Sequence, residues 1–289
     1  MKKKILSFAL AFCLIIPAAF MFVGCKDKKE PAKPLGDVWD GTTIEVSEAV
    51  NDVITIESAR EFAGFAKSVN EGNNYIGITV ELATNIDLNN KAWTPIGYGC
   101  YELPDHSQEK AFSGIFDGKG HTIYNLNIDY STTALGGEGT GSAGIGLFGQ
   151  LLDGAIVKNI NVDTAVVKGN HFVAVIAGYS YLDVTIEHCS VKNAQVSCSY
   201  KDTDDSGDKA GVIAGLILGN SVVAYCEAKD SAVDAARDAG QVIGCRANST
   251  SILNTASNVM VTDNNQTQDS STNDNITNDI IGRDDDNMI

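Results

Sequence analysis

The chain is short of positive charge, of arginine, of proline and of paired cysteine motifs. Its 289 residues hold 21 Lys+Arg against 37 Asp+Glu, a formal net charge of −16. Removing residues 1–24, which carry Lys2, Lys3 and Lys4 and no acid, takes the charge to −19. That balance excludes a general nucleic-acid binder, because phosphate contacts need clustered Lys and Arg. The arginines are Arg60, Arg237, Arg246 and Arg283, and no two are close in sequence. Five prolines against 28 glycines exclude a Pro-rich linker protein or a collagen and point to turns. No CxxC is present. Beyond Cys13 and Cys25, five cysteines remain: Cys100, Cys189, Cys198, Cys226 and Cys245, at spacings of 89, 9, 28 and 19 that fit no zinc motif. Their odd number argues against a complete disulfide framework, and the better reading is small buried apolar residues. A Gly-x-Ser-x-Gly nucleophile elbow is missing as well.

What is present begins with an address. Lys2, Lys3 and Lys4 precede an apolar stretch from Ile5 to Val23, and Gly24-Cys25 follows directly. This resembles the lipobox of bacterial lipoproteins, although Phe22 stands where that family usually carries Leu. The resemblance implies a signal peptide over 1–24, a lipid on Cys25 and an extracytoplasmic, membrane-anchored chain. An uncleaved anchor is the competing reading, since Ile5–Val23 nearly reaches the ~20 residues that span a bilayer. Residues 25–37 then read as a polar tether.

The body is a repeat. Gly146-Leu147-Phe148-Gly149, Val175-Ile176-Ala177-Gly178, Val212-Ile213-Ala214-Gly215 and Gln241-Val242-Ile243-Gly244 end on glycines 29, 37 and 29 residues apart. The longer interval contains the polar loop 199–208. After each glycine, apolar residues alternate with polar ones, as in Ile160, Val162 and Cys189, Val191, which is the period of a strand. Strand-only repeats of under forty residues predict a β-solenoid, in which Ile160, Cys189, Cys226 and Thr255 form one inward column. A propeller is the rival, but its repeats run to ~40–45 residues. The last repeat is one residue short, with the deficit expected near Val259 and Val261. The stacked cysteines read as packing, with a disulfide or a soft-metal site as alternatives.

Upstream, Ser58-Ala59-Arg60-Glu61 is a capping box, and Phe62, Phe65, Ala66 and Val69 form one apolar stripe. This predicts a short helix lying as a lid on the open end of the solenoid, or else an ordinary surface helix. Val80–Leu88, Trp93-Thr94-Pro95-Ile96-Gly97 and Phe112–Ile128 supply further strands and turns. Taken in order with Ile56–Phe62 and the glycine repeats, these motifs resemble bacterial surface proteins with GLUG motifs, over roughly residues 50–262. The resemblance implies an all-β, right-handed parallel β-helix of the pectin-lyase-like kind and an adhesin-like role. The expected organisation is an N-terminal cap with first strands over 38–111, a β-helix over 112–262, and an acidic tail over 263–289.

That tail holds seven Asp, six Asn and one Arg. Its composition favours disorder, a solvating role or a worn-out former coil. The densest acidic cluster of the body is Asp202, Asp204, Asp205 and Asp208 on one loop, either solvated or a candidate ligand and cation site. No catalytic constellation is visible: Glu187 and Glu227 fall at different repeat offsets, and His106, His121, His171 and His188 have no acidic or metal-binding partner at motif spacing. The expectation is therefore a non-enzymatic, cell-surface binding or adhesion module, without cofactor or metal, monomeric if both ends are capped. A glycan or extracellular-matrix ligand is its expected partner. An envelope scaffold without a free ligand and a carbohydrate-active β-helix enzyme are the alternatives.

Overall fold

Alternating side chains in short runs, punctuated by turns, leave the chain one economical solution: to wind into coils whose strands pair in parallel with those of the next coil. The computed structural model shows this parallel β-helix and describes residues 36–98, 110–132, 144–199, 209–263 and 281–284. The signal and lipobox region with Cys25, the tether up to residue 35, Cys100, His106 and the Asp202, Asp204, Asp205 and Asp208 loop lie outside the described residues.

Four parallel sheets run along the stack. Sheet 1 has seven strands: Asp37–Val38, Ile86–Asp87, Thr122–Asp129, Asn161–Gly169, Ser190–Cys198, Glu227–Ala235 and Thr255–Asp263. Sheet 2 also has seven: Val53–Ile56, Thr79–Leu82, Ile115–Asp117, Ile156–Lys158, Thr185–Glu187, Val222–Ala224 and Thr250–Ile252. Sheet 3 comprises Phe148–Leu152, Ala177–Tyr181, Ala214–Leu218, Ile243–Ala247 and Ile281–Asp284. Sheet 4 comprises Gly144–Ile145, Phe172–Val173, Lys209–Gly211 and Asp238–Gly240. A complete coil passes through sheets 2, 1, 4 and 3 in turn. Because sheets 1 and 2 run from residue 37 to residue 263, the first strands and the glycine repeats belong to one stack.

Inward residues form columns. Ile123, Val162, Val191 and Ala228 are register partners, as are Ile128, Val167, Val196 and Val233, and all are buried. Gly178, Gly215 and Gly244 lie where sheet 3 turns against sheet 4 of a neighbouring coil, and Gly149 lies against the backbone of Gly97. A Cβ on Gly178 would collide with the backbone of Gly144 and Ile145, and one on Gly215 would stand 2.7 Å from the Val173 nitrogen. The repeat therefore keeps glycine because backbone approaches backbone there.

The helix α1, Ala59–Asn70, closes the N-terminal end. Ser58 is its N-cap and accepts the Glu61 N–H at 3.2 Å, while the Glu61 carboxylate accepts the N–H of Glu57, one residue before the cap, at 2.7 Å, so the first half of the capping box forms and its reciprocal bond is shifted by one residue. Phe62 stacks on Trp93 with ring centroids 5.1 Å apart, and Phe65 stacks on Phe116 at 5.8 Å. Both helix rings are fully buried, each contributing about 1.5–3 kcal/mol by leaving water. Asp37, on the first strand of sheet 1, accepts the Ala59 N–H at 2.7 Å and ties that strand to the helix start.

Two expectations are corrected. The missing residue of the last repeat falls in the turn Asn248–Ser249, which replaces the three-residue Gly219-Asn220-Ser221. Thr255 consequently pairs with Glu227, and Asn254 takes the inward place next to Cys226. In the tail, Ile281–Asp284 is a strand of sheet 3, with Ile243 paired to Ile281, so disorder does not hold for those residues. Its physical basis is local: Ile280-Ile281-Gly282 repeats the pattern of Val242-Ile243-Gly244, and Ile281 packs against the core.

Cys189 and Cys226 are buried and not joined in a disulfide, and Cys198 and Cys245 are buried as well. Burial pushes the Cys189 thiol well above its ordinary value. The Cys189 Sγ lies 3.3 Å from the Glu187 carbonyl and the Cys226 Sγ 3.3 Å from the Ala224 carbonyl, so each thiol is a weak donor to its own coil. Among the described residues no group of three metal-ligating side chains is assembled.

Candidate functional site

The corner between sheets 2 and 1 has one repeating backbone feature. One residue per coil adopts the left-handed conformation: Asn159 at φ 53°, His188 at 52°, Tyr225 at 55° and Leu253 at 47°. Each N–H that follows this geometry donates across to the next coil, from Asn159 to the Glu187 carbonyl, from His188 to Ala224 and from Tyr225 to Ile252. The fold needs this turn at every level, and asparagine tolerates it best among non-glycine residues. Histidine, tyrosine and leucine are held there by the hydrogen-bonded ladder.

The consequence is a stacked outer column. The His188 and Tyr225 rings lie 5.0 Å apart with planes 7° from parallel, and Tyr225 is 49% exposed. Beside them a shallow groove of about 410 Å³ is lined by Asp117, Lys119, Gly120, Asn159, Asn161 and His188. Asp117 is the carboxylate in that lining. Its Oδ1 accepts from the Lys119 N–H at 2.9 Å and from the Asn159 side-chain amide at 3.0 Å, and its Oδ2 lies 3.9 Å from the Lys158 ammonium. Lys119 reaches Glu81 at 3.3 Å, and the Asn161 amide donates to the Gly120 carbonyl at 2.8 Å. The polar side chains of the groove are thus held in place before any ligand arrives.

The outward side chains are ordered in columns. Asp163, Lys192 and Lys229 are register partners, and so are Asn161, Ser190 and Glu227. Asp163 and Lys192 pair at 3.0 Å, and the hydrogen bond and charge of Asp163 raise the Lys192 ammonium above its ordinary value. Such exposed pairs contribute about 0–1 kcal/mol each, so they set register more than stability. Glu187 sits on sheet 2 and Glu227 on sheet 1, on different faces. His121 contacts the Asn85 side chain, its Nδ1 3.2 Å from Oδ1. His171 is buried between sheets 1 and 4, its carbonyl accepting the Lys209 N–H at 3.0 Å. Lys209 itself is fully buried and pairs with Asp238 at 3.1 Å. Sequence reasoning set His188 and Tyr225 aside as isolated or unremarked. The available signal was their common place, ten residues after Gly178 and Gly215, where Asn159 follows Gly149 by the same interval.

No family model matches the chain, and no solved structure matches it. Among curated proteins it is similar to Halomucin of Haloquadratum walsbyi, 29% identical over 126 residues. That stretch is 43% of this chain and 1% of the length of Halomucin. No helix among the described residues is long and apolar enough to cross a membrane.

Proposed function

We propose that the chain is a non-catalytic binding module displayed outside the cytoplasm, anchored by lipid on Cys25, whose ligand is a carbohydrate held at the His188–Tyr225 corner. One observation carries the reading: two aromatic rings stand stacked and partly exposed at left-handed positions that asparagine suits better. Bulky residues at such φ values are a cost to the fold, which Leu253 also bears, and what sets His188 and Tyr225 apart is that their rings are stacked on each other. The C–H face of a sugar ring stacks on such aromatic faces, and its hydroxyls take hydrogen bonds from fixed amides and carboxylates such as Asn159, Asn161 and Asp117. A glycosidase needs two carboxyl groups across the scissile bond. The groove lining offers Asp117, which is already committed to three donors, so the reading is capture without turnover.

The test is a glycan and extracellular-matrix array probed with residues 26–289. A saccharide hit that is lost in Tyr225→Ala and His188→Ala, with unfolding midpoints kept, supports the reading. A hit untouched by both substitutions sinks the site, and a blank array with folded protein sinks the saccharide ligand.

A further inference from the structure

The two ends of the stack are finished differently. At the N-terminal end sheet 1 stops at the two-residue strand Asp37–Val38, sheet 2 stops at Val53–Ile56, and α1 covers the core beside them. Short edges and a covering helix are the usual protections against strand addition. At the other end the last strand of sheet 1 is Thr255–Asp263, nine residues long, and no described strand pairs with its far side.

This strand also lacks the chemical protections. Its inner counterparts carry charge: Asp163 and Lys168, then Lys192, then Glu227, Lys229, Asp230 and Asp234. From Ala247 to Thr262 there is no charged side chain and no proline. The left-handed kink at Asn258 does not distinguish it, because Asn193 and Asp230 make the same kink in strands that pair normally. Large apolar side chains are exposed here, Leu253 at 74% and Met260 at 68%. Inward residues of this coil, Ala256, Val261 and Ile281, are only partly buried, whereas their counterparts Ala228, Val233 and Ile243 are buried. The following 17 residues, 264–280, contain Ile276 and Ile280 as their apolar side chains, little with which to cover such an end.

We infer that this end is an interface for a second copy of the chain, with the two Thr255–Asp263 strands adding edge to edge about a two-fold axis. A two-fold pairing brings identical strands together antiparallel and needs only self-complementarity. Charge selects this end for it. Two chains of −16 repel over most of their surfaces, and a strand edge that carries no charge from Thr255 to Thr262, with Asp263 at its very end, is where they approach at least cost.

The experiment is sedimentation velocity of residues 26–289, which lack Cys13 and Cys25, with Cys100→Ser, over a hundredfold range of concentration. The expected result is a concentration-dependent species of twice the monomer mass, reduced at least tenfold in association constant by Met260→Lys with Thr262→Lys. In the same background a nitroxide spin label on Ser257→Cys should report a short distance between the two copies, and one on Lys67→Cys, on the exposed side of α1, should not. A monomer at every concentration overturns the inference. So does a dimer indifferent to the lysines, or one in which the short distance is read at position 67 rather than 257. Glycan binding is read separately at His188 and Tyr225, so neither result depends on the other.

Discussion

Asn254 stands beside Cys226 in the inward column and accepts its backbone N–H at 2.8 Å. The same side chain donates to the Val223 carbonyl at 2.8 Å and to the Ser251 hydroxyl at 2.9 Å. Ile160 holds this place in an earlier coil by packing alone and Cys189 by packing with a weak thiol hydrogen bond; in the shortened coil an amide does it by hydrogen bonding. Asn254→Ala should cost about 2–3 kcal/mol, because it leaves buried backbone groups unsatisfied. Urea unfolding with an unchanged slope would measure it.

The cap makes a second prediction. Phe65 touches Tyr75, Phe112 and Phe116, all with ring centroids within 5.8 Å. Phe65→Ala should lose about 3–5 kcal/mol. Lys67→Ala, on the exposed side of the same helix, should stay within about 0.5 kcal/mol in the same thermal melts.

Gly178→Ala tests why the repeat ends on glycine. The added methyl meets the backbone of Gly144 and Ile145 in the neighbouring coil, and backbone cannot step aside as a side chain can. The expected loss is about 3 kcal/mol or more, seen as a lowered melting temperature or failure to fold.

Leu253→Asn should stabilise the chain by about 1 kcal/mol. Leu253 holds a φ of 47°, is 74% exposed, and gives up little burial when replaced. Chemical denaturation of the two proteins side by side checks it. Unchanged or lowered stability would mean that the ladder, not the residue, sets the cost of the turn.

The core thiols should be unreactive. Burial holds the Cys189 thiol protonated, well above its ordinary range, whereas the hydrogen bond with Cys189 lowers the Cys226 thiol, whose protection therefore rests on its enclosure alone. Iodoacetamide at pH 8 should leave both unmodified in the native chain and label both in urea, read by peptide mass spectrometry.

Much of the fold is legible in the residues because its determinants are periodic. Glycines at near-equal spacing and alternation after each one mark the coil, and Ser58 with Glu61 marks the helix. What escaped was set by geometry between coils. The shortened turn at Asn248–Ser249 shows itself only when Leu218 is paired with Ala247 and Val223 with Ser251. Ile281 was hidden in a polar tail whose mean composition outweighed one apolar triplet. His188 and Tyr225 were missed for another reason: Asn159, His188, Tyr225 and Leu253 have no side-chain property in common, and only their backbone conformation aligns them.

That unlikeness has a consequence for how such a chain changes over time. Asparagine, histidine, tyrosine and leucine all stand at the same corner, one per level about 4.8 Å apart, and the winding beneath them is the same. Inward columns vary only where the substitute stays buried and satisfied: Ile128, Val167, Val196 and Val233 are all aliphatic, and Asn254 enters its column by making three hydrogen bonds. Substitution can therefore rewrite the outer edge one rung at a time, altering what the edge contacts while the ladder that carries it stays intact.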